Sequence, residues 1–123
     1  MPQTPFDFSV LDERGTATQS FAAGEKIFLQ DEAADHMYVV RSGKVQIITY
    51  GTVLENVGPG GVFGEMAMVD GAPRSAAALA AEPTQVMAVD RDTFLFLIKK
   101  DPEFALRIMQ VLASRIRRMN ASL

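Results

Sequence analysis

The 123-residue chain contains no cysteine and a single histidine, His36. Disulfides and thiolate metal sites are thereby excluded, and one imidazole among scattered carboxylates makes no metal site. No nucleophile has a candidate base partner, which argues against covalent catalysis. Basic residues are not in excess, since 12 Lys and Arg stand against 15 Asp and Glu, for a net charge of -3. A broad nucleic-acid footprint needs a basic stripe, and this balance does not supply one. No apolar run approaches the ~20 residues of a membrane span, and the opening MPQTPFDFSV lacks the charged head and apolar run of a secretory signal. The expectation is a cytoplasmic protein that is not an enzyme, with no cofactor or metal, no membrane and no direct nucleic-acid partner.

What is present is ordinary globular material, 48% apolar and 22% charged. A chain of this length makes one domain and buries about two thirds of its unfolded surface. Residues 1–15, with Pro2 and Pro5 and the apolar Phe6, Phe8, Val10 and Leu11, read as an N-terminal arm with a helical turn near Val10. Residues 16–89 are short apolar runs broken by turn residues: Thr16–Phe21, Ile27–Leu29, His36–Arg41, Lys44–Tyr50, Thr52–Val57, Arg74–Ala80 and Thr84–Val89. Strands of this length and spacing predict an antiparallel sandwich or barrel. Within one of them Val45, Ile47 and Thr49 share a face.

Residues 90–123 change to a helical period. Asp90 is a candidate N-cap, and Phe94, Leu97 and Ile98 form the apolar stripe of a first helix. Asp101-Pro102 ends it and starts another, with proline at its first position. In the last helix Ala105, Met109, Leu112, Ile116 and Met119 recur at alternating four- and three-residue spacing, widened by Phe104, Ile108 and Val111. Core packing, a dimer seam and a lid are all open for that face. Arg115, Arg117 and Arg118 read as a solvated helix end.

The chain is organised around residues 58–79, GPGGVFGEMAMVDGAPRSAAAL, which hold five of its nine glycines, an isolated glutamate and an isolated arginine. A P-loop is excluded, because no lysine lies between Lys44 and Lys99. Gly58, Gly60 and Gly64 miss the dinucleotide spacing by one residue, and Pro59 and the all-β setting also oppose that reading. Phe63 is placed to anchor in a core, while Gly64 permits close backbone approach to a ligand. Glu65-Met66-Ala67-Met68 predicts one helical turn whose first amides face an anion. Arg74 can fork onto two phosphate oxygens. Glu65 repels a phosphate, so its carboxylate suits a neutral hydroxyl beside one. Small Ala67, Ser75 and Ala76 leave room and add donors. The implied ligand is a phosphate joined to a sugar with one free hydroxyl. The plainer alternative for Glu65 and Arg74 is an ion pair within a turn.

FGEMAMVDGAPRSA, residues 63–76, resembles the phosphate-binding cassette of cyclic nucleotide-binding domains. FAAGEKIFLQDEAADHMYVVRSGKVQI, residues 21–47, is similar to that family's strands and glycine turns. Its members include regulatory domains of catabolite activator-type proteins, cyclic-nucleotide-gated channels and cyclic nucleotide-dependent kinases. The resemblance implies an eight-stranded antiparallel jelly roll with two C-terminal helices, and cyclic AMP or cyclic GMP as ligand. It assigns the cyclic phosphate to Arg74 and the ribose 2′-hydroxyl to Glu65. Backbone amides come from Gly64, Ala67 and Ser75, with the Ser75 hydroxyl on the phosphate or the base. Phe63, Met66 and Ala76 complete the cassette, and Met109, Leu112 and Ile116 are the expected base lid.

Asp31 departs from the family's usual glycine, and the hairpin at Tyr50-Gly51 is short. The expectation is of a stand-alone domain with no helix-turn-helix, kinase or channel segment of its own, whose output runs through the last helix to an effector protein, with a homodimer as one possibility. The alternatives are a non-binding interaction module and the excised regulatory part of a transcription factor or channel.

Overall fold

A computed structural model describes residues 6–121, with side chains described as far as Arg118. Pro2, Pro5 and the side chain of Met119 lie outside the described residues. The elements in chain order are α1 (Ser9–Glu13), β1 (Thr18–Phe21), β2 (Lys26–Phe28), β3 (His36–Ser42), β4 (Val45–Thr49), β5 (Thr52–Val57) and β6 (Val62–Phe63). There follow α2 (Met66–Asp70), β7 (Ala77–Ala80), β8 (Thr84–Asp90), α3 (Arg91–Lys100) and α4 (Pro102–Ala121). The strands make two four-stranded antiparallel sheets, ordered β1-β8-β3-β6 and β2-β7-β4-β5.

The expected eight-stranded roll is therefore present. One strand, β6, escaped the reading by pattern, because two residues inside a glycine cluster carry no periodicity. Arg74 does not begin a strand as predicted. Its N–H donates to the Glu32 carbonyl at 2.9 Å and its own carbonyl accepts from Asp31 at 2.8 Å, so residue 74 is tied to the turn after β2 instead. Asp31 takes the left-handed conformation there, with φ of 70°. Aspartate is among the few residues other than glycine that visit this region routinely.

Two cores explain the apolar pattern. Val40, Val45, Ile47, Val57, Phe63, Ala78 and Val86 fill the space between the sheets. On the other side of the first sheet, Met37, Val39, Met87 and Val89 meet Phe94, Leu97, Phe104 and Ile108 of the helices, with Leu11 of the arm. Strand β3 is thus covered on both faces, which is why Met37 to Val40 read as a continuous apolar run rather than an alternation. Asp90 caps α3 by accepting from the Thr93 N–H at 2.8 Å, and Pro102 opens α4. The cavity lies against the second sheet, whose Phe28, Ile47, Thr49 and Leu54 are in its lining.

Candidate functional site

The cavity has a volume of about 340 Å³. Phe28 of β2, Ile47 and Thr49 of β4, and Leu54 and Glu55 of β5 form one wall. Gly64 to Ala67 and Pro73 to Ala76 form another, and Arg115 and Arg118 of α4 close the rim. Ile47 and Thr49 line it together, as their shared strand face requires.

The glycine-rich stretch turns sharply at Gly64, with φ of +75°. A β-carbon there would lie 2.7 Å from Nη1 of Arg74. The space that glycine opens is therefore filled by the arginine of the same site, a tighter reason for glycine than ligand access alone. The predicted single turn follows as α2, stopped by Gly71 in the left-handed conformation. Glu65 stands at its N-cap position and is fully buried.

Arg74 is 6% exposed. Its Nη2 donates to the His36 carbonyl at 2.8 Å and its Nη1 to the Gly64 carbonyl at 3.2 Å. The guanidinium stacks 4.1 Å over the Phe28 ring and 5.7 Å from that of Tyr38. Burial lowers its pKa, and the Tyr38 and Asp35 groups partly oppose that. An arginine remains charged under such a shift. Nε has no hydrogen-bond partner, and two of the five N–H groups are engaged, so donors remain for an anion.

Glu65 and Arg74 do not pair with each other. Oε1 of Glu65 makes an ion-pair contact with Nη1 of Arg115, and neither oxygen of the carboxylate has a hydrogen-bond partner. The turn-bound ion pair considered for these two residues is replaced by a link from the cassette to the last helix.

Gly64, Glu65, Met66, Ala67, Arg74, Ser75 and Ala76 all line the cavity. Phe63 does not. It is buried between the sheets, stacked on Tyr38 at 5.1 Å, and serves as the anchor of the segment. Met109 and Ile116 are more than half exposed and, like Leu112, are absent from the lining, Leu112 packing instead on the helix-side core. The side of α4 turned to the cavity carries arginines, so the expected base lid is not formed by those three residues here. Arg115 is likewise no solvated helix end. Its Nε and Nη2 donate to Oε2 of Glu55 at 3.0 and 2.9 Å. The signal available in the sequence was the three-residue spacing of Arg115 and Arg118, which puts both on one helix face.

A family model described as the cyclic nucleotide-binding domain matches residues 18–101. The chain belongs to this family. Among its relatives is the cyclic AMP receptor protein of Thermus thermophilus, 35% identical over 108 residues, which are 84% of this chain and 50% of that protein. The cAMP-dependent protein kinase regulatory subunit of Yarrowia lipolytica is 42% identical over 72 residues, 58% of this chain and 19% of the subunit. The crystal structure of Thermus thermophilus catabolite activator protein aligns with a TM-score of 0.76 at 32% identity, covering 93% of this chain and 57% of that one. The chain thus spans half or less of the length of these two sequence relatives. The cyclic nucleotide-binding fold, with its jelly roll and following helices, is the shared part.

Proposed function

We propose that the chain is a cyclic AMP or cyclic GMP sensor that binds its ligand in the cavity between cassette and α4. The observation that carries this reading is one pairing of groups at one cavity. A buried guanidinium with an unpartnered Nε and a fully buried carboxylate with no hydrogen-bond donor on either oxygen line the same cavity. A cyclic phosphodiester suits the first and a ribose 2′-hydroxyl suits the second, and few other ligands present both groups to one cavity. Arg74 takes the exocyclic phosphate oxygens, amides of the Gly64–Ala67 turn and Ser75 add donors, and the purine lies toward Ile47, Thr49 and Leu54.

Calorimetry of the nucleotide-free chain with each cyclic nucleotide tests this directly and fixes the preferred base. Arg74→Ala is expected to lose roughly 2–5 kcal/mol of binding, the cost of removing one side of a buried charge pair. Unchanged affinity in that variant would sink the assignment.

The output is proposed to run through α3 and α4 to an effector protein, with the domain itself non-catalytic. An interaction module working through α4 without nucleotide is a second reading, supported by exposed Leu106, Met109 and Ile116, which recur along the helix. A second copy of the chain is the expected occupant of that stripe. Sedimentation with and without nucleotide separates the readings, and a concentration-independent monomer in both conditions would exclude the dimer. The share of its relatives that this chain spans also suits a regulatory part of a longer protein.

A further inference from the structure

The chain has no cysteine, so methionine supplies all of its oxidisable sulfur. Among the described methionines Met37 and Met87 are fully buried and Met68 is 4% exposed, whereas Met66 and Met109 stand open at 40% and 61%. Met109 lies on α4 and does not line the cavity. Met66 does, as the first residue of α2, directly after Glu65. Its thioether also has a specific neighbour. The Ser75 hydroxyl donates to Sδ of Met66 at 3.8 Å, which joins the cassette turn to the residue after Arg74 through sulfur.

A thioether is a weak acceptor, and its sulfoxide is polar. We propose that Met66 is an oxidation site that regulates the cavity: its sulfoxide takes the Ser75 hydroxyl away from the nucleotide phosphate. The inference rests on the cyclic nucleotide reading above, in which Ser75 is one of the donors to the ligand. The oxidant is a peroxide, with hydrogen peroxide the simplest. The sulfur lone pair attacks one peroxide oxygen, so an S–O bond forms as the O–O bond breaks. Sulfur is oxidised by two electrons and the peroxide is reduced. The proton on the transferred oxygen passes to the departing hydroxide, which leaves as water.

The new oxygen is a stronger acceptor than the sulfur beside the same hydroxyl, and it brings partial negative charge to the wall that receives the phosphate. Both effects oppose an anion. A nucleotide in the cavity covers Met66 in turn, so occupancy shields the sulfur and oxidation disfavours occupancy. Such coupling is reciprocal by thermodynamic necessity. Sulfoxide reductases return the thioether, which makes the change reversible.

The test treats the chain with hydrogen peroxide, locates the added oxygen by peptide mass spectrometry, and measures cyclic AMP and cyclic GMP binding by calorimetry before and after. Met66 and Met109 should oxidise first, and saturating nucleotide should slow Met66 alone. Peroxide is expected to weaken nucleotide binding about 10- to 100-fold, the worth of a hydrogen bond to a charged group. The two epimer-specific sulfoxide reductases should restore it. Each variant is judged by its own ratio of affinities before and after treatment. Met66→Leu, close in volume, should show no change, Met109→Leu should respond as wild type does, and Ser75→Ala should respond less. The inference is overturned if Met66 oxidises no faster than buried Met68, or if the chain carrying the Met66 sulfoxide binds as tightly as before. Wild-type sensitivity in Met66→Leu or Ser75→Ala overturns it too. The first two comparisons use wild type alone, so they decide the matter even where a variant fails to fold. If the untreated chain binds neither cyclic nucleotide, the cyclic nucleotide reading itself fails, and the regulation of that site goes with it.

Discussion

At position 64 a backbone turn and a guanidinium compete for the same few ångströms. Only the missing β-carbon lets Nη1 of Arg74 approach the Gly64 carbonyl to 3.2 Å while the backbone holds φ of +75°. Gly64→Ala is therefore expected to cost about 1–2 kcal/mol of stability from the left-handed backbone alone. Its larger effect should be on nucleotide binding, because the guanidinium must move away. Calorimetry alongside thermal melting checks this, and a lowered melting temperature with intact affinity would place the effect in the fold rather than the site. The same residues show how far a sequence can be read at this scale. Gly64, Glu65 and Arg74 are legible because isolated charges among small residues in a glycine-rich run have few structural uses. Arg115 is not legible, because it sits among other arginines near a helix end and its partner Glu55 lies 60 residues away. Nothing local says that α4 turns this face back across the roll.

Elements with a strong local signal are legible in the sequence, and those defined by long-range pairing are not. The cap of α3 was legible since Asp90, two residues and Thr93 precede an apolar stripe at helical spacing. Strand β6 was not, since its two residues are strands only by pairing with Tyr38 and Val39 of β3. The start of α4 is legible, but its cavity-facing side is not, because apolar spacing marks the buried core face and not a polar one. The cap makes a prediction at this scale. Hydrogen bonding from the Thr93 N–H holds the Asp90 carboxyl below its ordinary value. A depressed folded-state pKa stabilises the fold fully above the unfolded value, about 3.9 for aspartate, and that contribution is lost as pH falls through the lower folded value. Asp90→Ala should cost about 1 kcal/mol at neutral pH. Asp90→Asn keeps a capping oxygen that does not titrate, so the stability gap between it and wild type should narrow as pH drops below about 4. Urea denaturation across this range checks both, and a gap independent of pH would remove Asp90 from the acid response.

The molecule as a whole divides between a sheet-sheet core that shapes the cavity wall and a helix-side core that roots α4. Phe104 is the joint of the second. It is 3% exposed, packs edge-on to Phe94 of α3 at 5.9 Å and meets Phe6 of the arm at 6.1 Å. One side chain at the start of α4 thus ties arm, α3 and sheet together, while Arg115, about three turns on, engages the other end of the site. If α4 carries the response to ligand, it must pivot about the end held by this core and not detach from it. Phe104→Ala is expected to cost about 3–5 kcal/mol, the effect of emptying a large aromatic site whose neighbours come from three separate segments. It removes no group that lines the cavity, so nucleotide contacts are retained wherever the variant is folded. Urea denaturation followed by two probes, a label on α4 and the far-ultraviolet signal of the whole chain, distinguishes the possibilities. Coincident transitions at lower urea mean that the helix-side core is part of one cooperative unit with the roll. A label transition that precedes the other means that α4 separates first, and a loss below about 1 kcal/mol would show that Phe104 does not root the helix.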